Sequence, residues 1–320
     1  MNIESQKRIA CKIQTELQGV HECLSGDNEI IELMLNSDGH IWIDQLGQGM
    51  SKTAMVFSPD EAILLMGSIA TYNGTIINKE KPLLKASLPW GQRFQGMIPP
   101  VVMAPVFTIR KHSSRRFVLD DYVPQRMPDE VASFLRNALS KRLNIIISGG
   151  TGSGKTTLGS TMLGELSVLC PDDRIVIMED TSELECLNPN KVSQLAANGI
   201  TMRDLLAANL RMRPDRIILG ETRGAEALDL LKSWNTGHPG GICTLHANSA
   251  RSALSRFEQL ILEAQDMNIA YLRNLIADAV DIIVHTERDH KIGPKVAQVV
   301  RVSGIDTDAR YETQALYQVA

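Results

Sequence analysis

The chain has 320 residues, of which 43% are hydrophobic and 22% charged, and its formal net charge is −4. This length and composition are typical of a globular protein with two domains, and the negative charge argues against broad, non-specific nucleic-acid binding. The five cysteines are scattered and form no C-x-x-C pair, which argues against a disulfide framework or a zinc site. No apolar stretch approaches the roughly 18 residues of a membrane span, so we expect a cytoplasmic protein without a secretory signal, whose membrane contact is at most peripheral.

Residues 1–118 mix one helical segment with short strands, a pattern that predicts a small N-terminal α+β domain. The helix is expected at Asp60–Ala70, after an acidic start. Five short apolar segments are the strand candidates: Ile30–Leu35, Ile41–Ile43, Met55–Phe57, Gln92–Met97 and Phe107–Arg110.

The segment Lys111–Pro128 is charged and contains prolines, and we interpret it as the interdomain linker. A helix with apolar spacing follows at Asp129–Leu139, so residues 119–140 are predicted to be a linker and lead-in helix. Residues 141–320 then alternate strands with helices, which is typical of an α/β domain with a largely parallel sheet. Its expected strands are Asn144–Ser148, Arg174–Met178, Arg216–Leu219 and Gly241–Thr244, before closing antiparallel strands at Ile282–His285, Lys295–Ser303 and Tyr311–Tyr317. Its expected helices are Lys155–Leu169, Thr201–Leu210, Glu226–Asn235, Ser249–Glu263 and Ile269–Val280.

A phosphate-binding loop stands between the first strand and the first helix of this second domain. Residues 149–156 read GGTGSGKT and match G-x-x-x-x-G-K-[ST] in full. Successive backbone N–H groups of such a loop form a concave site for a polyphosphate, with Lys155 reaching the β- and γ-phosphates and the Thr156 hydroxyl holding Mg²⁺. We expect ATP to contact the loop and the start of its helix: Gly149, Gly150, Thr151, Gly152, Ser153, Gly154, Lys155, Thr156 and Thr157.

Two acidic groups follow neighbouring strands, where an open α/β sheet binds its ligands. The first is the segment Glu179–Glu183, in which Asp180 is an equally good candidate for a solvated loop residue. The second is Glu221, which we predict to complete the Mg²⁺ site with Thr156. The common form of this second motif ends in Asp, but this chain has Gly220 there and the acid one residue later.

Two histidines bracket a glycine-rich turn and a short strand. His246 stands at a strand end, where we expect it to contact the γ-phosphate, whereas the role of His238 stays open.

Arginines also cluster outside this core, and their planar guanidinium groups are suited to clamp phosphate oxygens. A solvated charge run is the competing interpretation for Arg93, Arg110, Lys111, Arg115, Arg116, Arg211 and Arg213.

With these residues in order, the chain resembles the secretion and traffic ATPases, most closely the conjugal-transfer (type IV secretion) branch of the TrbB type. The resemblance rests on four motifs: the phosphate loop, Glu179–Glu183, the segment from Arg213 to Glu221, and Gly237–Ser249. It implies an N-terminal domain, a linker and a RecA-like P-loop NTPase domain. It also implies a homo-hexameric ring that holds ATP and Mg²⁺ between the domains and docks on inner-membrane components of a secretion apparatus.

The resemblance assigns roles to single residues. Lys155 and Thr156 match the phosphate and Mg²⁺ ligands, Glu183 matches the acid that orients or deprotonates water, Glu221 the acid near Mg²⁺, and His246 the histidine near the γ-phosphate. Arg93 and Arg110 resemble the N-terminal-domain arginines that reach the triphosphate when the ring closes.

The predicted function is therefore ATP hydrolysis that powers conjugative pilus assembly or substrate transfer. A type IV pilus or type II secretion motor shares the four motifs, although this chain lacks the tetracysteine module of many type II proteins. A DNA-translocating RecA-like ATPase is a further alternative, against which the low aromatic content of 4% counts. The third alternative is a nucleotide-gated assembly scaffold that binds ATP with negligible hydrolysis.

Overall fold

The computed structural model describes residues 3–26, 29–45, 48–111, 117–197, 199–289 and 291–319. It divides between residues 115 and 116 into two compact units. The segment predicted as linker and lead-in helix, residues 119–140, falls in the second unit.

The first unit contains one antiparallel sheet and three helices. Its six strands lie in the order β3-β2-β1-β6-β5-β4. In chain order the elements are α1 (Ile3–Leu17), α2 (Gly19–Gly26), β1 (Ile30–Leu35), β2 (His40–Gln45), β3 (Gly49–Val56), α3 (Pro59–Tyr72), β4 (Leu83–Ser87), β5 (Arg93–Met97) and β6 (Val106–Arg110).

Helix α3 begins where the sequence places it, because Ser58 and Glu61 form a reciprocal capping box and Pro59 occupies the first turn. Helices α1 and α2 and strand β4 are additions to the predicted elements. The signal for the helices was present, since Ile13, Leu17 and Val20 recur at helical spacing and are completely buried.

The second unit contains an eight-stranded sheet, in the order β14-β13-β12-β7-β11-β10-β8-β9. After a 3₁₀ turn at Leu119–Tyr122, its helices are α4 (Asp129–Ser140), α5 (Lys155–Leu169), α6 (Met202–Asn209), α7 (Glu226–Asn235), α8 (Ala250–Ala264) and α9 (Ile269–Ala279). Its strands are β7 (Ile145–Gly149), β8 (Ile175–Glu179), β9 (Lys191–Leu195), β10 (Arg216–Leu219), β11 (Ile242–His246), β12 (Ile282–Asp289), β13 (Gly293–Ile305) and β14 (Tyr311–Gln318).

The six strands from β12 to β9 are parallel, and at the β12 end of the sheet β13 pairs antiparallel with β12 and β14 pairs antiparallel with β13. Strands β7, β8 and β10 are buried along their full length, as expected for parallel strands covered on both faces. Helices α4 and α5 contribute to the core on one face of the sheet, and α6 to α9 contribute to the core on the other. Strand β12 was predicted only as part of the antiparallel end, yet it also pairs in parallel with β7.

A buried ion pair ties the strands together at the edge opposite the phosphate loop. The Arg216 side chain is completely buried, and its Nε donates to Asp173 Oδ2 at 2.6 Å. Its Nη2 donates to the carbonyl of Leu139 at 3.0 Å. Arg142 reaches the other oxygen of Asp173 from the surface, with 40% of its side chain exposed. Asp173 is thus shared by a buried and a half-exposed arginine.

Loss of the buried arginine should cost far more stability than loss of the exposed one. Arg216→Ala would leave the buried Asp173 with one partner fewer. We therefore expect the free energy of unfolding of this variant to be about 3–5 kcal/mol lower than that of the unmodified protein. The matched control Arg142→Ala should lose about 1 kcal/mol or less. Urea denaturation followed by circular dichroism measures both, and equal losses would contradict this account of the ion pair.

Candidate functional site

The parallel register brings the carboxyl ends of four strands around the phosphate loop. His246 at the end of β11 and Thr286 of β12 both lie beside Gly149, the last residue of β7. Glu179 ends β8, and Glu221 follows β10 by two residues. The phosphate loop, the two acidic groups and His246 therefore converge at the carboxyl ends of the parallel strands.

The phosphate loop needs glycine at defined positions. Gly152 and Gly154 have φ angles of +70° and +88°, in the left-handed region that glycine adopts without strain. A Cβ on Gly149 would collide with Ser153 and Thr286, and one on Gly154 would collide with Pro294. Ser153 Oγ lies 2.9 Å from Thr286 Oγ1, which also donates to the carbonyl of Ser148 at 3.2 Å. Strand β12 thus fixes the shape of the loop.

Lys155 is directed into the site even though only 7% of the residue is exposed. Its ammonium donates to the carbonyl oxygens of Gly149 at 3.1 Å and Gly150 at 2.8 Å. Its Nζ also lies 3.4 Å from Nδ1 of His246. A buried cation requires such partners, and phosphate oxygens are suited to replace them.

A series of charged side chains, here called the charged chain, leads from His246 through Glu221 and Arg223 to Asp180. His246 Nε2 lies 3.1 Å from Glu221 Oε1, and Arg223 contacts the other oxygen of Glu221 at 2.5 Å. Arg223 also reaches Asp180 at 3.2 Å. Burial raises the pKa of Glu221, but the hydrogen bond from Arg223 and the charges of Arg223, His246 and Lys155 outweigh it, so the pKa lies below its ordinary value. Glu221 is therefore ionised at neutral pH.

The Thr156 side chain contacts Glu183, in the first acidic group, and not Glu221, in the second. Its hydroxyl donates to Glu183 Oε2 at 3.1 Å. The backbone N–H groups of Glu183 and Leu184 both donate to Glu179 Oε1 at 2.9 Å, so the buried Glu179 shapes the loop that presents Glu183. Glu221, predicted beside Thr156 as a metal ligand, pairs instead with His246 and Arg223.

The side chain of Glu179 also explains why a glycine occupies position 220. A Cβ at position 220 would lie 2.7 Å from Cγ of Glu179, closer than non-bonded carbons approach. An aspartate at this position would collide with Glu179 unless the Glu179 side chain moved, whereas Gly220 leaves room for it.

Three further sequence candidates lie elsewhere. His238 follows α7, with its Nδ1 3.3 Å from the carbonyl of Ser233. Arg211 and Arg213 are exposed. Asp215, in the same motif as Arg213, accepts a hydrogen bond from the backbone N–H of Arg174 at 2.7 Å, which joins the starts of β8 and β10. That part of the third motif is therefore structural.

Glu179 and Arg223 lie in the candidate site, and the sequence predicted no role for either of them. Both lie inside quoted motifs, but only the fold shows that one supports Glu183 and the other holds Glu221. His285 is a third such residue, buried behind the loop with its Nδ1 3.0 Å from Ser148 Oγ. Burial lowers the pKa of His285.

In the first unit, Arg93 and Arg110 lie directly opposite each other on β5 and β6. Glu32 on β1 is the next residue in the same row, and Asp44 on β2 follows it. Lys111 follows β6, whereas Arg115 and Arg116 lie outside the described residues. The two predicted arginines thus form one charged row with two acids.

The hydroxyl and carboxylate oxygens beside the phosphate loop are of the kind that Mg²⁺ binds. The described part of the chain holds no cluster of three or more His, Cys, Asp or Glu side chains with metal-binding geometry. A hydroxyl and carboxylates beside a phosphate loop are the partial ligand set that Mg²⁺ takes when phosphate oxygens and water supply the rest. No helix among the described residues has the length and apolar character needed to cross a membrane.

Comparisons with known proteins agree with this geometry. The family model of the type II/IV secretion system protein matches residues 17–312. The conjugal transfer protein TrbB of Rhizobium radiobacter is 43% identical over 99% of this chain and 97% of its own length. The type IV secretion system protein VirB11 of Bartonella quintana is 30% identical over 86% of this chain and 89% of its own length.

Solved structures give the same result. The VirB11 ATPase of the Brucella suis type IV secretion system, in complex with sulphate, matches 92% of this chain and 96% of its own with a TM-score of 0.50 and 27% identity. The pilus retraction motor PilT with bound ADP matches 95% of this chain and 82% of its own with a TM-score of 0.63, and at 18% identity it supports the fold alone. The predicted fold class, family and ATPase class are confirmed. The chain belongs to the type II/IV secretion system protein family.

Proposed function

We propose that this chain is a Mg²⁺-dependent ATPase that powers conjugative type IV secretion as a subunit of a ring-shaped motor. The observation that carries the proposal is the convergence of Lys155, His246 and Glu221 on a complete phosphate loop. The TrbB and VirB11 relatives, which span nearly all of the chain, support the conjugative system as the setting.

The γ-phosphate is recognised by the chain of charges that leads away from Lys155. ATP would take over the ammonium contacts that Gly149 and Gly150 make in this structure. His246 lies within reach of Lys155 and is held by Glu221, so it is placed to contact the γ-phosphate and to lose that contact after hydrolysis. Loss of the γ-phosphate would thereby change the contacts of Glu221 and, through it, those of Arg223.

The two acids have different proposed roles. Thr156 and Glu221 would hold Mg²⁺, which neutralises charge on the β- and γ-phosphates when bound. Glu183, already hydrogen-bonded to Thr156, would orient or deprotonate the attacking water. The support of its loop by Glu179 keeps that carboxylate at the phosphate end of the site.

Arg93 and Arg110 are proposed to close onto the triphosphate from the first unit. They form one cross-strand pair, so a single movement of the sheet would deliver both guanidinium groups together. For this closure we propose the two compact units as the moving parts, with residues 119–140 moving with the ATPase core to which they belong. Opening after phosphate release would then be the mechanical step.

The assembled form is proposed to be a homo-hexamer in the cytoplasm, docked on inner-membrane components of the apparatus with peripheral contact to the membrane. The main competing function is DNA translocation by the same RecA-like core. Salt-sensitive stimulation by DNA would distinguish it, because phosphate contacts release counterions. Direct nucleic-acid binding is not part of the proposal.

Turnover measured against protein concentration tests the proposed function. The rate per subunit should rise as the ring assembles and ignore single-stranded DNA, and it should be compared with and without vesicles of acidic phospholipid. Strong DNA stimulation that salt abolishes would favour the translocase. Absence of turnover under all conditions would favour a nucleotide-gated scaffold.

Lys155→Ala should abolish turnover. The variant loses the cation that stabilises the β- and γ-phosphates, so we expect kcat to fall by about 100-fold or more. Phosphate release measures the rate. Lys191→Ala, which changes a lysine on the edge strand β9, is the matched control and should turn over normally.

Glu183→Gln and Glu221→Gln should separate hydrolysis from binding. We expect both variants to bind ATP, while turnover falls by about 100-fold or more for Glu183→Gln and about 10- to 100-fold for Glu221→Gln. The Mg²⁺ concentration for half-maximal rate should rise only for Glu221→Gln. A rise for Glu183→Gln alone would reverse the two roles.

Arg223→Gln should move the acidic limb of the pH–rate profile to higher pH. Arg223 lowers the pKa of Glu221 against the opposing effect of burial, so without it the pKa rises and Glu221 is protonated at a higher pH. The measurement is kcat/KM between pH 4.5 and 8. Arg203→Gln, which breaks an exposed pair with Asp229, is the control whose profile should not move.

A further inference from the structure

Two consecutive residues of β12 hold Ser148, the residue directly before the phosphate loop. Ser148 lies opposite His285 in the parallel register of β7 and β12. Its hydroxyl oxygen lies 3.0 Å from Nδ1 of His285, and its carbonyl oxygen accepts a hydrogen bond from the hydroxyl of Thr286 at 3.2 Å. Strand β12 therefore fixes both the side chain and the backbone of the residue from which the loop starts.

The contact between Ser148 and His285 lies inside the protein. Ser148 is completely buried, and only 2% of His285 is exposed. Of the two residues opposite Ser148 in the neighbouring strands, Leu245 of β11 is apolar and His285 of β12 is polar. A buried hydroxyl that loses its partner is costly, because water does not replace the lost hydrogen bond. The imidazole of His285 thus satisfies the Ser148 hydroxyl.

The imidazole of His285 is neutral, and its surroundings favour one tautomer. Burial lowers the pKa of His285, the charge of Glu287 opposes this effect, and the charge of Lys155 adds to it. Oε1 of Glu287 lies 3.8 Å from Nε2, which favours a proton on that nitrogen. Nδ1 then accepts the hydrogen bond that the Ser148 hydroxyl donates.

Ser148 leads directly into the part of the loop that Lys155 contacts. The carbonyl oxygens of the next two residues, Gly149 and Gly150, accept hydrogen bonds from the Lys155 ammonium at 3.1 and 2.8 Å. A shift of Ser148 would move these carbonyl groups and the backbone N–H groups that follow them. A binding loop keeps its geometry only when the residues behind it are held by packing and hydrogen bonds.

We propose that His285 is a positioning residue of the nucleotide site, which acts through Ser148 to hold the start of the phosphate loop in the geometry that binds phosphate. The inference rests on the proposed function, since it deepens the same site. Because His285 acts on the loop from behind, its loss should weaken ATP and ADP binding alike.

The test is the affinity for ATP and ADP, measured by competition with a fluorescent nucleotide, in His285→Leu and His285→Asn. Leucine has no acceptor for the Ser148 hydroxyl, whereas asparagine has an amide oxygen at the distance of Nδ1 from Cβ. We expect His285→Leu to weaken both affinities by about three- to tenfold, and His285→Asn to stay within about twofold of the unmodified chain.

A double-variant cycle tests whether His285 acts through Ser148. Ser148→Ala should weaken both affinities by about as much as His285→Leu, because either change removes the same hydrogen bond. The double variant Ser148→Ala/His285→Leu should bind no more weakly than His285→Leu alone. Additive losses would contradict the inference. If His285→Leu does not fold, unchanged affinity in Ser148→Ala contradicts it equally.

The matched control is Ile283→Val, a change at a completely buried residue on the same side of β12. It should lower the thermal unfolding midpoint and leave both affinities unchanged. Weakening as large as that of His285→Leu would make the effect one of general stability and overturn the inference. Unchanged affinities in His285→Leu, or equal losses in the leucine and asparagine variants, would overturn it while the proposed function stands. Failure of the unmodified chain to bind either nucleotide would overturn both.

Discussion

The parallel register around β7 is the constraint on which the rest of the molecule depends. Because β11 and β12 both pair with β7 in parallel, their carboxyl ends reach Gly149 from opposite sides. A shift of one residue in either strand would turn His246 or Thr286 to the other face of the sheet. The phosphate loop, the charged side chains that begin at His246, and Thr286 of β12 lie together only because these registers are fixed. Continuous buried runs of branched apolar residues in β7 and β12 fix them.

The sequence predicted the second unit well where the apolar pattern was strong. The helices after the phosphate loop and the four central strands occur within a few residues of their predicted bounds. Strand β9 was missed because it is a sheet edge whose side chains alternate between exposed and half-buried, so it carries little apolar signal. The N-terminal helices were missed although their spacing was readable in Ile13, Leu17 and Val20.

The site was predictable as a set of residues but not as a set of pairs. Motifs identify Lys155, Glu183, Glu221 and His246, because each stands where a strand or loop must deliver chemistry. They do not say that Thr156 meets Glu183 while Glu221 pairs with His246. Such pairings depend on side-chain directions and on neighbours such as Arg223 and Glu179, whose importance arises only from packing between separate strands.

The space beside Gly220 links two motifs that a sequence shows as separate. Because Glu179 occupies the position that a side chain at 220 would need, the residues at 179 and 220 must be compatible as a pair. A relative with aspartate at the position of Gly220 should therefore carry a smaller or differently directed residue at that of Glu179. The two positions are coupled physically, because an aspartate at 220 collides with Glu179, and a smaller residue at 179 removes the acceptor of the backbone N–H groups of Glu183 and Leu184.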